Sequence, residues 1–277
     1  MSRIAQFNRP MSRRRSPVAA IGAVSRTPGE TWRAKVIRSA LLAVVVAAVV
    51  AQPVSAQASI VDLGTLSGSS TSSAAGINDR GSVVGGSFIP FGGGAHLGHA
   101  FLWQAGTMTD LGTLGGTFSA AHGINYRGQI VGESTLGAGL HAFLWQVGAM
   151  TDLGTLGGSI SNAAAINEQE QVVGLSSTAS GEFHAFLWQA GTMTDLGTLG
   201  GTYSSAGGIN NRGQVVGAST TASGALHAFL WQAGAMTDLG TLGGAFSAAA
   251  GINHRGEIVG VSATPSGDIH AVLWPNP

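Results

Sequence analysis

A sequence repeat of about 43 residues occurs five times along this chain, and it limits the possible folds more than any other feature. The peptide HAFLW (HAVLW in the last copy) begins at residues 99, 141, 184, 227 and 270, in steps of 42 or 43, and DLGTL begins at residues 62, 110, 152, 195 and 238. A fixed period of this length is typical of chains that stack one structural unit against the next. We therefore expect five similar units rather than one irregular domain.

Each repeat holds four short segments with the composition of β-strands, which in the second copy are residues 119–125, 128–134, 141–145 and 149–156. The first two are joined by a hairpin that Asn125 opens and in which Gly128 takes a left-handed conformation. In the third copy Glu170 stands at this glycine position, so we predict that its hairpin is the most strained. A second tight turn after each tryptophan predicts that the Trp of the third strand lies beside the Met of the fourth.

Four antiparallel strands per repeat predict an all-β fold, a five-bladed β-propeller. The repeat region opens with a lone fourth strand, residues 58–66, and closes with a lone third strand, residues 270–274. We expect the N-terminal strand to pair with the C-terminal blade, with Ile60 beside Trp274, and so to close the ring. The alternatives are a fragment of a larger array and an open array that dimerises.

Residues 1–56 differ from the rest and are typical of a secretory signal region. They hold eight Arg and the only Lys, an apolar run at residues 40–51, and small residues that suit cleavage after Ala56. The alternative is a membrane anchor, but twelve apolar residues are fewer than the roughly twenty needed to span a bilayer. The basic stretch is longer than in ordinary signals, which indicates a translation start further downstream. We predict a secreted or periplasmic protein with one repeat domain, residues 57–277.

The charge of residues 57–277 limits the partners. This part has four Arg, no Lys and twelve acids, a net charge of 4 − 12 = −8. It would repel phosphate backbones and has no basic patch for anionic lipid, so we expect neither nucleic acid nor, after cleavage, a membrane as partner. The chain has no Cys, so disulfides cannot stabilise an exported form. We expect a monomer without cofactors.

The combination of GIN, a following VVG, HAFLW and DLGTLGG resembles the HAF-repeat family of extracellular bacterial proteins. The resemblance covers residues 58–277, and HAF is intact in four copies, while Val272 replaces the Phe in the fifth. Membership implies export and a repeat fold, and it implies no activity. The chain ends at WPNP without the C-terminal sorting segment of some relatives, which favours release rather than anchoring.

The repeated His and Trp side chains are interpreted as structural. The histidines head third strands in five different blades, so they cannot share one metal ion, and we expect each to bond a turn or the Asp of the fourth strand. The tryptophans would pack against Met inside the blades, although sugar stacking is the alternative. The residues concerned are His99, His141, His184, His227 and His270, with Trp103, Trp145, Trp188, Trp231 and Trp274.

The loops between second and third strands vary and share one face of the predicted propeller, so they are the candidate ligand site. The loop of residues 88–98 is the longest, although an insertion without a role is the alternative. The candidate residues are Phe88, Pro90, Phe91 and His96 in that loop, and Glu133, Glu182 and Asp268 near other loops of this face. Among the acids on the opposite face, which include Asp79 and Glu168, no pair is expected to converge near the axis.

These observations predict a binding or structural surface module whose ligand is a glycan or another protein. The alternative is a secreted hydrolase or lyase on the same scaffold. No catalytic residues stand out, because the glycosidase pattern of two facing carboxylates is not recognisable in the sequence.

Overall fold

Nineteen β-strands and no helix make up the regular structure of residues 59–89 and 97–277, which this computed structural model describes. All of them lie in one compact unit, Val61–Pro277. The predicted signal region, residues 1–56, lies outside the described residues. Within those ranges, no helix of membrane-spanning length and apolarity is found.

The strands follow one another as five antiparallel meanders, here called the first to fifth sheets. In chain order they are β1 (Thr71–Ile77), β2 (Val83–Ile89), β3 (Leu97–Gln104) and β4 (Thr107–Asp110); β5 (Ser119–Ile124), β6 (Ile130–Leu136), β7 (Gly139–Gln146) and β8 (Ala149–Asp152); β9 (Gly157–Ile166), β10 (Val172–Thr178), β11 (Phe183–Gln189) and β12 (Thr192–Asp195); β13 (Gly200–Ile209), β14 (Val215–Thr221), β15 (Leu226–Gln232) and β16 (Ala235–Asp238); and β17 (Ser247–Ile252), β18 (Ile258–Ala263) and β19 (Ile269–Trp274). Parallel pairings of Leu140 with Ile160 and of Phe183 with Tyr203 join the second sheet to the third and the third to the fourth.

Neighbouring sheets pack face to face because the strands are apolar on both sides. Successive residues of a strand point to opposite faces. Ile130 of β6 therefore belongs to a buried cluster with Val84 of the first sheet, and the next residue, Val131, belongs to a buried cluster with Val172 of the third sheet. The first strands of successive sheets also contact one another along the stack. The result is an all-β, propeller-like stack of sheets.

The tight turns have the predicted chemistry. In the first hairpin of the second sheet, Asn125 accepts a hydrogen bond from the N–H of Gly128 on its carbonyl and one from the N–H of Gln129 on its side chain. Glu170 has φ 62°, the left-handed conformation that glycine takes in the other four hairpins, which confirms the predicted strain. The register across the second turn is also confirmed: the pairs are Trp103–Met108, Trp145–Met150, Trp188–Met193 and Trp231–Met236.

Four of the five repeated His residues pair with the Asp of the fourth strand, which is one of the two arrangements expected from the sequence. The imidazole Nδ1 lies 2.8 Å from a carboxylate oxygen in three pairs and 3.0 Å in the other. These pairs clip the short fourth strand to the third. They are His99–Asp110, His141–Asp152, His184–Asp195 and His227–Asp238.

The predicted closure of the ring is wrong for this structure. Residues 59–66 form no strand, Ile60 is 99% exposed, and the fifth sheet contains only β17, β18 and β19. The sequence pattern shows which edge a strand would fit. It does not fix the twist accumulated from sheet to sheet, which decides whether the two ends of a stack meet.

Candidate functional site

The residue that follows the repeated Asn differs in all five copies, and the five side chains line one cavity of about 380 Å³. This cavity, here called the turn-face cavity, lies at the hairpins that join first and second strands. Ile124, Ile166 and Ile209 provide its apolar lining. The five variable residues are Asp79, Tyr126, Glu168, Asn211 and His254.

A ladder of asparagine side chains holds these hairpins next to one another. Asn78 donates through Nδ2 to the carbonyl of Asn125, Asn125 to that of Asn167, Asn167 to that of Asn210, and Asn210 to that of Asn253, at 3.0–3.1 Å. The Oδ1 atoms of the same residues accept backbone N–H groups of their own turns. The turns are therefore fixed by residues other than the variable ones.

Hydrogen bonds also position the variable residues. The carboxylate of Glu168 accepts from the N–H of Tyr126 at 2.8 Å, and the side-chain oxygen of Asn211 accepts from the N–H of Glu168 at 3.0 Å. The Arg80 guanidinium lies 4.2 Å from the centroid of the Tyr126 ring, a cation–π contact. With the described residues, the side chains of Asp79 and His254 form neither a hydrogen bond nor an ion pair. Their polar groups face no competing partner from that part of the chain.

The turn-face cavity combines an apolar lining with carboxylates, an amide, an imidazole and a phenol. Such a set can accept and donate hydrogen bonds to a neutral ligand with several hydroxyl groups. Its size is within the range of small-molecule sites, roughly 300–1,000 Å³. Residues 59–89 and 97–277 contain no cluster of three or more His, Asp or Glu that could hold a metal ion.

Sequence reasoning placed Asp79 and Glu168 on this face but expected no pair of acids to come together. The structure corrects that expectation, because both residues line the same cavity. The signal was present in the sequence: within an otherwise repeated text, the position after Asn carries Asp, Tyr, Glu, Asn and His in turn. Attention to acids alone missed it.

The residues predicted for the loop face are only partly described. Phe88 stacks on Phe118 with ring centroids 6.1 Å apart, while Pro90, Phe91 and His96 lie outside the described residues. Asp268 accepts a hydrogen bond from Ser266 of its own loop. Glu182 likewise contacts Ser180 of its own loop, and a cavity of about 370 Å³ adjoins the end of the 88–98 loop at Leu97 and Gly98. The loop-face site stays a prediction.

Glu133 lies within β6, paired with Ala120 and Ala142, inside the segment predicted as the second strand of this repeat. Its carboxylate accepts a hydrogen bond from the amide of Asn162 and lies 3.7 Å from Nε2 of His122. Burial disfavours the charged carboxylate, but the nearby His122 imidazole and the Asn162 amide outweigh burial, so the pKa of Glu133 lies below its ordinary value.

Comparisons with known proteins give no family for this chain. No family model matches, and no curated protein matches. Among solved structures, TolB from Acinetobacter baumannii has 11% identity and a TM-score of 0.49 over 73% of this chain, so the chain spans about half (54%) of that protein. A gluconolactonase-like protein has 14% identity and a TM-score of 0.40, covering 71% of this chain and 75% of its own.

Proposed function

We propose that this protein is an exported binding module, a propeller-like scaffold with one blade per repeat, which takes a neutral hydroxyl-rich ligand such as the end of a glycan in the turn-face cavity. The leader sequence supports export. One observation carries the ligand site: the residue after the repeated Asn differs in all five repeats and lines one cavity in every case. The neighbouring Asn, which holds the turns together, is the same in each copy.

The chemistry of the cavity favours sugars over anions. Asp79 and Glu168 place two carboxylates at the cavity, and the repeat domain has a net charge of −8 from the count of 4 Arg against 12 acids. Phosphate or sulfate groups would be repelled. Carboxylates and the Asn211 amide can bond hydroxyl groups, and the isoleucine side chains can contact the C–H faces of a sugar ring.

The test is binding of a panel of neutral glycans to the full chain, followed by calorimetry on the best binder. Asp79→Asn and Asn211→Ala should each weaken binding about tenfold, because the first replaces a charged acceptor oxygen by an N–H donor and the second removes the amide, each a change of about 1.5 kcal/mol at the site. Glu182→Gln and Asp268→Asn on the loop face serve as matched controls and should leave the affinity unchanged. Loss of binding in the control variants alone, or on deletion of residues 88–98, would instead support the loop-face site.

A hydrolase or lyase acting on glycans is the second candidate. The observation that favours it is that two carboxylates and an imidazole, those of Asp79, Glu168 and His254, line one cavity. Glycoside hydrolysis needs one carboxyl group as acid and another as base or nucleophile. Release of reducing ends that stops in both Asp79→Asn and Glu168→Gln, with binding retained, would establish this activity. Binding without turnover over days would exclude the hydrolase or lyase and support the binding module.

A further inference from the structure

The face of the fifth sheet that points away from the fourth is apolar and uncovered. Val259 is 51% exposed and Leu273 is 58% exposed, whereas the matching residues of the fourth sheet, Val216 and Leu230, are 0% and 7% exposed. Ala271 is exposed as well, although the matching Ala228 is fully buried. The same residue types are therefore covered by a following sheet in earlier repeats and by nothing in the part of the chain described here.

The first sheet has the complementary defect. Residues Val61–Leu66 have the sequence of a fourth strand and of the connection that follows it. They hydrogen-bond to the first sheet in the same way as residues 109–114 hydrogen-bond to the second. Leu66 donates its N–H to Ser87 Oγ, as Leu114 does to Ser134 Oγ. Ser72 donates to the carbonyl of Gly64 just as Ser119 donates to that of Gly112. In the other repeats a third strand lies beside the matching segment, and no described strand lies beside Val61–Leu66 in this way.

Three repeated polar contacts are likewise interrupted at the two ends. Four histidines pair with an Asp, yet His270 has no carboxylate within ion-pair distance in the described ranges, and Asp62 has no histidine. In the other sheets, the N–H of the third-strand Ala donates to a serine of the next sheet; Ala271 and Ser72 would be the fifth such pair. The four existing pairs are Ala100–Ser119, Ala142–Ser161, Ala185–Ser204 and Ala228–Ser247.

The asparagine ladder stops at the same place. Asn210 donates to the carbonyl of Asn253, but Asn253 donates only to Glu257 of its own turn. The carbonyl that would continue the series is that of Asn78, at the opposite end of the stack. Four features of the described residues therefore lack a partner at the fifth sheet: the apolar surface, the ion pair, the serine contact and the asparagine ladder. The matching groups are present at the other end of the stack, on the first sheet.

We propose that a second copy of this chain joins the two ends: the fifth sheet of one copy packs on the first sheet of the next, and Val61–Asp62 of the next copy adds to β19 as the missing fourth strand. The partner is a second copy because the four junctions inside the chain already show that these two surfaces fit each other. The two ends of one chain are both exposed, so neither satisfies the other. This head-to-tail contact is heterologous, so it can continue into a ring or a longer assembly.

The register follows from the internal sheets. Leu102 lies opposite Thr109, and Leu144 lies opposite Thr151. By the same register, Leu273 of one copy lies opposite Val61 of the next. His270 then lies beside Asp62, and the Leu63 N–H reaches the carbonyl of Ala271, as the Leu111 N–H reaches that of Ala100.

Disulfide trapping tests this register, because the natural chain has no Cys. Full-length Val61→Cys and Leu273→Cys chains are mixed under mild oxidation, and a disulfide-linked dimer is the expected product. Val147→Cys, at a position 97% exposed in a distant turn, replaces Val61→Cys as the control and should give no such dimer. The Leu102→Cys/Thr109→Cys chain should form an internal disulfide and shows that this register tolerates the bond.

Either of two results of the disulfide experiment would overturn the proposal. The first is no dimer from the mixed chains while the Leu102→Cys/Thr109→Cys control is oxidised. The second is an internal disulfide in monomers of a chain that carries both Val61→Cys and Leu273→Cys, which would mean that the ring closes on itself. Sedimentation gives an independent readout: the mass of the natural chain should rise with concentration, and Val259→Glu should keep the circular dichroism spectrum but remain monomeric. A monomer at every concentration for the natural chain would also refute the proposal.

Discussion

Replacing Glu170 by Gly should stabilise the protein by about 1 kcal/mol. Glu170 has φ 62°, a conformation that costs a residue with a Cβ about 1–2 kcal/mol. Its N–H also makes the longest bond of the five equivalent turns, 3.3 Å to the carbonyl of Asn167 against 2.9–3.1 Å in the others. Glycine removes this strain, and the greater freedom of glycine in the unfolded chain takes back roughly 0.5–1 kcal/mol. A gain of about 1 kcal/mol corresponds to a rise of roughly 2–4 °C in Tm for a domain of this size.

The reciprocal change is the matched control. Gly128 occupies the same turn position in the second sheet, and a Cβ added there would meet no atom within 4 Å. Gly128→Glu should therefore lose about the same free energy through the backbone alone, without a clash. Urea titration followed by circular dichroism measures both variants, and the slope of the transition shows whether the cooperative unit has changed. If Glu170→Gly lowered stability, or if Gly128→Glu had no effect, the assignment of strain to this position would be refuted.

Two further predictions concern the polar contacts. Asn125→Ala should destabilise the protein by about 2 kcal/mol more than Asn253→Ala in equilibrium unfolding. The reason is that the Asn125 amide is buried and donates to the next turn, whereas the Asn253 amide is exposed and donates only within its own turn. Equal losses of stability would contradict a stabilising role for the ladder. The folded-state pKa of Glu133 is lowered, so its contribution to stability should be complete above the unfolded-state pKa of about 4.5. This contribution should be lost as the pH falls through the folded-state pKa. The difference in stability between the natural chain and Glu133→Gln should therefore shrink only in acid. A difference that stayed constant down to pH 2, measured by urea unfolding, would rule out that linkage.

Much of the architecture could be predicted because it is local. The hairpin at Asn125 and Gly128, and the pairing of Trp145 with Met150, depend on residues within a few positions of one another, and turn chemistry fixes them. The His–Asp pairs also follow, because strand register brings His141 to Asp152 once the turn between them is known. Four nearly identical copies then repeat the same geometry.

Features that depend on the whole stack could not be predicted in this way. The closure expected between Ile60 and Trp274 requires the twist of five sheets to sum to a full circle, and no local residue pattern encodes that sum. The turn-face cavity was missed because its side chains are about 43 residues apart in sequence and are brought together by contacts between turns, the asparagine ladder and the bonds of Glu168. The contacts of Glu133 were not predicted because its partners, His122 and Asn162, lie on the first strands of two different sheets and depart from the repeat with it.

In the first hairpin of each sheet, the residue that holds the turn is not the residue that varies and lines the cavity, and this has a practical consequence. The repeated Asn holds the shape of each turn, with Gly at the left-handed position in four of the five, and the residue after the Asn varies from copy to copy, as Asp79, Tyr126, Glu168, Asn211 and His254 demonstrate. A gene in which only these codons are randomised would generate many recognition surfaces on one unchanged framework. Duplication of a repeat followed by a single codon change offers the same route in evolution.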